Sequence, residues 1–150
     1  MDVCVIIPCH NQVRFVAEAV LSALRQSRPP GEIILVDDGS TDGSAKRVEA
    51  LAGPVRLIRQ ARGGVAAARN RGITASSARF VAFLDGDDLW PRDSLERRLA
   101  VMAHSHADIV FGRVRQFLWP SGSPADPSGA DPPGRLAGAM LVHRGVFDRI

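Results

Sequence analysis

The segment that most limits what this 150-residue chain can fold into is the apolar run Phe80–Leu84. An uninterrupted run without polar alternation predicts a strand that is buried on both faces. Strands of that kind occur in parallel sheets with helices packed on each side. The run is followed at once by Asp85, Asp87 and Asp88. Because open α/β sheets bind ligands at the carboxyl ends of their strands, this acidic turn is a candidate binding site.

The acidic turn is expected to need a compensating positive charge. Carboxylates clustered beside a buried strand repel one another, and a divalent cation removes that conflict. Gly86 separates Asp85 from Asp87, which lets the backbone turn tightly and approach a ligand closely. Mg²⁺ and Mn²⁺ favour carboxylate oxygens and commonly share their shells with water and substrate phosphates. The turn therefore predicts a Mg²⁺ or Mn²⁺ site, and a solvated turn that caps the next helix is the alternative.

Composition and charge exclude several other classes of protein. The chain is 45% hydrophobic and 23% charged, as expected of one globular domain, and its net charge of +3 includes no basic run. These features argue against nucleic-acid binding. No apolar run approaches the ~20 residues of a transmembrane helix, so no transmembrane segment is expected.

Cys4 and Cys9 lie too far apart in an extended segment for a disulfide. The expected location is cytoplasmic, either free or peripheral at the inner membrane face.

Short apolar runs alternate with amphipathic segments along most of the chain. The predicted strands are Val3–Ile7, Ile33–Val36, Val55–Ile58, Phe80–Leu84, Ile109–Leu118 and Gly138–His143. The predicted helices are Val13–Gln26, one that ends at Leu51, Val65–Ala75, Ser94–His104 and Arg144–Ile150. Asn11 is a candidate N-cap of the first helix. The alternation predicts an α/β protein with a mostly parallel sheet flanked by helices. Residues 119–135, rich in proline and glycine, are expected to be a mobile loop.

Two further loops bring polar or flexible residues to the same edge of the predicted sheet. Asp37 and Asp38 directly follow the second strand, and parallel strands end at one edge, so both are expected near the acidic turn. They suit a helix-capping turn as well. Gly63 and Gly64 open the third helix and permit close approach of a ligand to the backbone. Arg69 follows in that helix, and the sequence is equally compatible with a solvated side chain and with a site residue.

Four segments carry a family resemblance. They are Val5–Asn11 (VIIPCHN), Ile34–Gly43 (ILVDDGSTDG), Gly63–Gly72 (GGVAAARNRG) and Phe83–Asp88 (FLDGDD). In residue type, order and spacing they resemble the motifs of family 2 glycosyltransferases, which have the GT-A fold, a Rossmann-like and mostly parallel sheet flanked by helices. The segment Gly138–Arg144 resembles a later strand of the family more loosely.

The resemblance implies a role for individual residues. Pro8 would border the nucleotide base, and Asp37 or Asp38 would accept a hydrogen bond from a pyrimidine ring. Gly64 would lie near the nucleoside. Asp85 and Asp87 would be the acidic pair of the family's DXD motif, with Asp87 favoured as the direct metal ligand.

The resemblance also implies an activity and a division of the chain. Such enzymes transfer a sugar, with inversion, from a nucleotide-diphosphate donor to an acceptor hydroxyl, and a UDP- or dTDP-linked donor is favoured here. The acceptor is expected to be a saccharide or a lipid-linked glycan. Residues 1–118 would form the donor-binding region and residues 136–150 the start of an acceptor-side region. The catalytic base is expected beyond Ile150, so the chain itself would be inactive or weakly active.

Two other classes of function remain open at this stage. A nucleotidyltransferase of related fold also surrounds a metal ion with carboxylates, but it would need a glycine-rich basic loop after the first strand. A non-catalytic sugar-nucleotide-binding module would keep the fold without the chemistry. Retention of both Asp85 and Asp87 argues against the second alternative.

Overall fold

The structure, a computed structural model, describes residues 2–115 and 137–149. Its strands are β1 (Val3–Cys9), β2 (Glu32–Asp38), β3 (Val55–Gln60), β4 (Phe80–Phe83), β5 (Ile109–Phe111) and β6 (Met140–His143). Its α-helices are α1 (Val16–Leu24), α2 (Ser44–Glu49), α3 (Val65–Ala75) and α4 (Ser94–Ser105). Two short 3₁₀ segments, Ala137–Ala139 and Arg144–Arg149, flank β6.

The strands form one six-stranded sheet in the order β3-β2-β1-β4-β6-β5. β1 is parallel to both β2 and β4, and β2 is parallel to β3. β6 runs antiparallel to β4 and to β5. The prediction of an α/β protein with a mostly parallel sheet is therefore confirmed. Because β1 lies between β2 and β4, the loops that follow these three strands emerge side by side.

Both faces of the sheet are covered, which explains why its central strands read as continuous apolar runs. On β1, Val5 and Ile7 pack into a core with residues of α1, α2 and α4. Ile6, on the opposite face, packs into a second core with Ala68 and Ile73 of α3. Cys4 and Cys9 are buried and free of disulfides, as predicted.

The predicted cap of the first helix is wrong. α1 begins at Val16 rather than Val13, and Phe15 rather than Asn11 occupies its N-cap position. Asn11 instead adopts a left-handed backbone conformation with φ 51°, which asparagine tolerates better than most residues. Its Oδ1 accepts a hydrogen bond from the backbone N–H of Thr41 at 2.9 Å. The side chain thus joins the loop after β1 to the loop after β2 rather than capping a helix.

Two carboxyl-terminal elements differ from the prediction, one in its length and the other in its type of helix. β5 ends at Phe111 rather than Leu118, since only its three residues pair with the short strand β6. Arg144–Arg149 forms a 3₁₀ helix instead of an α-helix. The Arg144 side chain donates to the carbonyl oxygens of Ala78 and Ile73, and this tertiary anchor fixes the tight turn. The predicted mobile loop, residues 119–135, lies outside the described residues.

The close approach of α3 to β1 leads to a first prediction. A Cβ added at Gly72 would lie 2.5 Å from Cγ2 of Ile6, a fully buried residue of the central strand. Alanine would gain about 1 kcal/mol of helix propensity, but overpacking a rigid core costs about 1–3 kcal/mol. Because 2.5 Å is far closer than any real Cβ contact and Ile6 is fully buried, the overpacking cost is expected in the upper part of that range, about 2–3 kcal/mol. After the gain in helix propensity, we expect Gly72→Ala to lower the free energy of unfolding by about 1–2 kcal/mol in urea titrations.

Gly112→Ala is the matched control for this change. A Cβ at Gly112 would meet its nearest atom at 3.5 Å, which is ordinary van der Waals contact. The control is expected to unfold at nearly the wild-type urea concentration. Equal stability of Gly72→Ala and the wild type would show that α3 is not held against Ile6 as described.

Candidate functional site

Three loops meet at the carboxyl edge of the sheet. Cys9 at the end of β1 lies opposite Asp37 at the end of β2 in the parallel register. The acidic turn after β4 packs on the other side of β1. A Cβ at Gly86 would overlap Oε1 of Gln12 and would lie 3.2 Å from the carbonyl oxygen of Pro8. Glycine at position 86 therefore lets the acidic turn pack closely against Pro8 and Gln12, a contact within the protein that the sequence did not predict.

Asp38 fixes the glycine turn that precedes α3. Its Oδ1 accepts hydrogen bonds from Gln60 Nε2 at 2.7 Å and from the Gly63 N–H at 2.8 Å. Its Oδ2 accepts from the Gly64 N–H at 2.8 Å, and Gly64 has a left-handed φ of 89°. Desolvation opposes ionisation of Asp38, but the hydrogen bonds from Gly63, Gln60 and Gly64 outweigh it and hold the carboxyl pKa below its usual value. The two predicted site residues Asp38 and Gly64 are thus in direct contact.

Asp37 and the loop after β1 lie at the same end of the candidate site as Asp38 and Gly64. Asp37 is only 4% exposed, and its Oδ1 accepts from the backbone N–H of Ser40 at 3.2 Å. The Nδ1 atom of His10 lies 2.8 Å from the carbonyl oxygen of Asp38. The Asn11 N–H donates to Ser40 Oγ at 3.0 Å. These contacts hold the loops after β1 and β2 in a fixed relation, with Pro8 beside them.

Arg69 supplies part of the positive charge that the acidic turn needs. Its Nη2 lies 2.6 Å from Oδ1 of Asp85, and both side chains are partly shielded from solvent. The guanidinium carbon also lies 5.8 Å from the centroid of the Phe83 ring. The sequence predicted that a metal ion balances the charge of the acidic turn, but Arg69 already balances the charge of Asp85. Repulsion with Asp87 and Asp88 remains.

The geometry of the acidic turn fits a cation that is shared with a ligand. A Cβ at Gly138 would lie 3.0 Å from Oδ2 of Asp85 and 3.3 Å from Oδ2 of Asp88. Two carboxylate oxygens thus face one small space that glycine leaves open. Partial burial and the charges of Asp85 and Asp87 raise the pKa of Asp88, so added positive charge is favourable there.

The same residues do not form a complete cage. Among residues 2–115 and 137–149, no three His, Cys, Asp or Glu side chains are arranged to hold a metal ion. An ion held by one or two carboxylates commonly completes its shell with water and substrate phosphates. The acidic turn fits that kind of Mg²⁺ or Mn²⁺ site.

Sequence reasoning left Arg69 undecided and missed Gly138. A signal for Arg69 was present, because it lies four positions before Ile73 and next to the buried Ala68, on the side of α3 that faces the sheet. No local signal marks Gly138. Its place against the acidic turn follows from the antiparallel pairing of β6 with β4, a contact between distant parts of the chain.

The sequence matches the family model for glycosyl transferase family 2 over residues 4–141. The chain belongs to this family. Among curated relatives, the glycosyltransferase TuaG of Bacillus subtilis is 38% identical over 113 residues, which are 73% of this chain and 45% of TuaG. Glycosyltransferase GlyG of Streptococcus pneumoniae is 33% identical over 117 residues, covering 75% of this chain and 39% of GlyG. The chain therefore spans less than half the length of these family 2 relatives.

Solved structures show the same fold. TarS of S. aureus, in a structure with UDP, superposes with a TM-score of 0.79 and 21% identity, covering 99% of this chain and 48% of the TarS chain. A mannosyltransferase from Pyrobaculum calidifontis, in complex with GDP-Man and Mn²⁺, gives a TM-score of 0.70 and 29% identity over 77% of this chain and 36% of that chain. The GT-A fold implied by the family 2 motifs is confirmed. No helix within residues 2–115 and 137–149 is long and apolar enough to cross a bilayer.

Proposed function

We propose that this chain binds the sugar donor in an inverting, metal-dependent family 2 glycosyltransferase. The enzyme would transfer a sugar from a nucleotide-diphosphate donor to the hydroxyl of a saccharide or a lipid-linked glycan. The observation that carries the proposal is the convergence at one sheet edge of Asp37, Asp38 and Gly64 with the carboxylates of the acidic turn. Residues 1–118 would form the donor-binding region and residues 136–150 the beginning of the acceptor side.

The nucleoside end is built from backbone and carboxylate groups. Pro8 would border the base, and Gly64, whose missing side chain leaves open space, would lie along the nucleoside. Either Asp37 or Asp38 would accept a hydrogen bond from the N3–H of a uracil or thymine ring. The solved structures of TarS with UDP and with UDP-GlcNAc support a nucleotide-sugar ligand for this fold.

The diphosphate end is built from opposite charges. Asp87 and Asp85 would hold Mg²⁺ or Mn²⁺, with Asp87 as the direct ligand, and the ion would stabilise the charge that develops on the leaving diphosphate. Arg69 holds Asp85 in place and presents a guanidinium group, a strong partner of phosphate oxygens, beside it. On the acceptor side, a carboxylate base would deprotonate the attacking hydroxyl.

Calorimetric titration of the chain with UDP, with and without MnCl₂, tests the proposal directly. We expect UDP to bind more tightly when Mn²⁺ or Mg²⁺ is present, because Asp85 and Asp87 would hold an ion whose charge attracts the diphosphate. Parallel titrations with dTDP and GDP establish which nucleotide is used. Binding of all three nucleotides that does not respond to either ion would contradict the proposed metal-dependent donor site.

A prediction about the base arises from the buried carboxylates. Cytosine has a lone pair at N3 in place of the N–H of uracil and thymine, so CDP would lose this hydrogen bond and place the lone pair against the carboxylate, at a cost of about 1–3 kcal/mol. We therefore expect UDP or dTDP to bind at least about tenfold more tightly than CDP. Comparing Asp37→Asn with Asp38→Asn identifies the carboxylate that reads the base, since that variant alone should lose the preference. Equal affinities for UDP and CDP in the wild-type chain would exclude this contact.

A further inference from the structure

α4 carries a buried arginine that the proposed donor site does not use. Arg98 is only 4% exposed, and burial lowers the pKa of its guanidinium to about 10. No carboxylate among the described residues forms an ion pair with it, whereas its neighbour Arg97 pairs with Asp93 at the surface. A buried charge without a counter-ion is unfavourable unless other contacts offset the loss of water.

Two of the contacts that offset the burial of Arg98 join α4 to segments beside the acidic turn. The guanidinium carbon lies 4.0 Å from the centroid of the Trp90 ring, a short cation–π contact. Nη1 donates to the carbonyl oxygen of Met140 at 3.1 Å, and Nε and Nη2 donate to Ser94. Arg98 therefore connects α4 both to Trp90, just after the acidic turn, and to β6.

Trp90 extends this connection to the backbone of Gly138. The Trp90 side chain is nearly buried at 8% exposure, and its Nε1–H donates to the Gly138 carbonyl oxygen at 3.3 Å. Gly138 is the residue at which an added Cβ would lie 3.0 Å from Oδ2 of Asp85 and 3.3 Å from Oδ2 of Asp88. Two carbonyl groups of one short segment, at positions 138 and 140, are thus held by the stacked Arg98–Trp90 pair.

We infer that Arg98 and Trp90 are positioning residues for the acidic turn. By holding the Gly138 backbone against Asp85 and Asp88, they would fix the conformation of the acidic turn that carries the proposed ligands Asp85 and Asp87. This inference rests on the proposed metal-dependent donor site and adds to it a supporting shell on the far side of the turn. Neither residue is inferred to touch the ion or the nucleotide.

The first test removes the charge and the donors of Arg98 while keeping an unbranched side chain. Arg98→Met is expected to weaken the Mn²⁺-dependent part of UDP binding by about 10–100-fold, the usual effect of changing residues that support metal ligands. UDP binding without metal should be unchanged, because Asp37, Asp38 and Gly64 lie on other loops. Calorimetry with and without MnCl₂ separates the two quantities, and Arg97→Met, with a largely exposed side chain, is the matched control.

The second test keeps an aromatic ring and removes one hydrogen bond. Trp90→Phe can still stack on Arg98 but cannot donate to Gly138, so a smaller loss of about three- to tenfold in metal-dependent affinity is expected. In a Trp119→Phe background, Trp90 is the remaining tryptophan of the chain. Its emission is expected to shift when Mg²⁺ is added in the presence of UDP, and no shift is expected on adding Mg²⁺ alone to an Asp87→Ala variant.

The outcomes distinguish this inference from the proposal beneath it. If wild-type UDP binding ignores Mn²⁺ and Mg²⁺, the proposed metal site and the inference fall together. If the wild type responds to metal and folded Arg98→Met and Trp90→Phe respond equally, only the positioning role is overturned. Should Arg98→Met fail to fold, as judged by circular dichroism, Trp90→Phe decides the matter.

Discussion

Asp87→Ala is expected to lower the Mn²⁺-dependent affinity of the chain for UDP by about 100-fold, since it would remove the proposed direct ligand of the ion. UDP binding without metal should stay within about twofold of wild type, because alanine removes a charge that repels the diphosphate only weakly through solvent. Calorimetric titration with UDP, with and without MnCl₂, gives both quantities. Asp87 is exposed, so the fold should not change.

Asp148→Ala is the control for the change in net charge. Asp148 is an exposed carboxylate that lies outside the acidic turn, and its removal should leave both affinities unchanged. If Asp87→Ala retains the full effect of Mn²⁺, Asp87 is not a ligand and the assignment of the acidic pair is wrong.

Replacing Asp85 should give a different pattern, because Asp85 has a protein partner. Asp85→Ala frees the guanidinium group that now lies 2.6 Å from its carboxylate. Arg69 can then pair with the diphosphate directly, and charge-assisted bonds of arginine to phosphate are strong. The structure thus predicts loss of metal dependence together with tighter metal-free binding. Arg69→Met combined with Asp85→Ala should remove that gain.

The sequence was informative where structure is set by local patterns. Apolar runs such as Phe80–Leu84 identified the strands, because burial on both faces requires every residue of a strand to be apolar. The positions of Asp37 and Asp85 directly after two such runs predicted that both lie at one edge of the sheet, and the family resemblance added Pro8. The parallel arrangement follows from the alternation of strands and helices, and it brings the ends of β1, β2 and β4 together.

Features that depend on distant contacts could not be predicted in this way. Asparagine is a residue type favoured at helix N-caps, but the Asn11 side chain instead accepts a hydrogen bond from the backbone N–H of Thr41 in another loop. The acidic turn lacks a local cation, and its partner Arg69 comes from a different element. Gly138 reaches the turn only through antiparallel pairing across the sheet. In each case the partner is distant along the chain. A short segment of sequence does not show which distant residues will meet, or how much entropy closing the loop between them costs.

Replacing Asp38 is expected to have a large effect on the free energy of unfolding. Its carboxylate accepts bonds from Gln60, Gly63 and Gly64, and bonds to a charged group contribute about 1.5–3 kcal/mol each before overlap between them is considered. Asn at this position has one acceptor oxygen, and its NH₂ group would face a backbone N–H. We expect Asp38→Asn to lower the free energy of unfolding by about 3 kcal/mol at pH 7, measured in urea.

The stability that Asp38 contributes is also expected to depend on pH. The carboxyl pKa of Asp38 is lower in the folded chain than its usual value, so its contribution is complete above the unfolded pKa of about 3.9. That contribution is lost as the pH falls from there through the folded pKa. The wild type should therefore lose stability in this acidic range more steeply than Asp38→Asn.

Asp108→Asn is the control, because an exposed Arg149 lowers the pKa of Asp108 at the surface and exposed pairs contribute little. If both variants were equally stable at pH 7, the buried contacts of Asp38 would not hold the glycine turn, and close approach of the α3 amino terminus to a nucleoside would need another anchor.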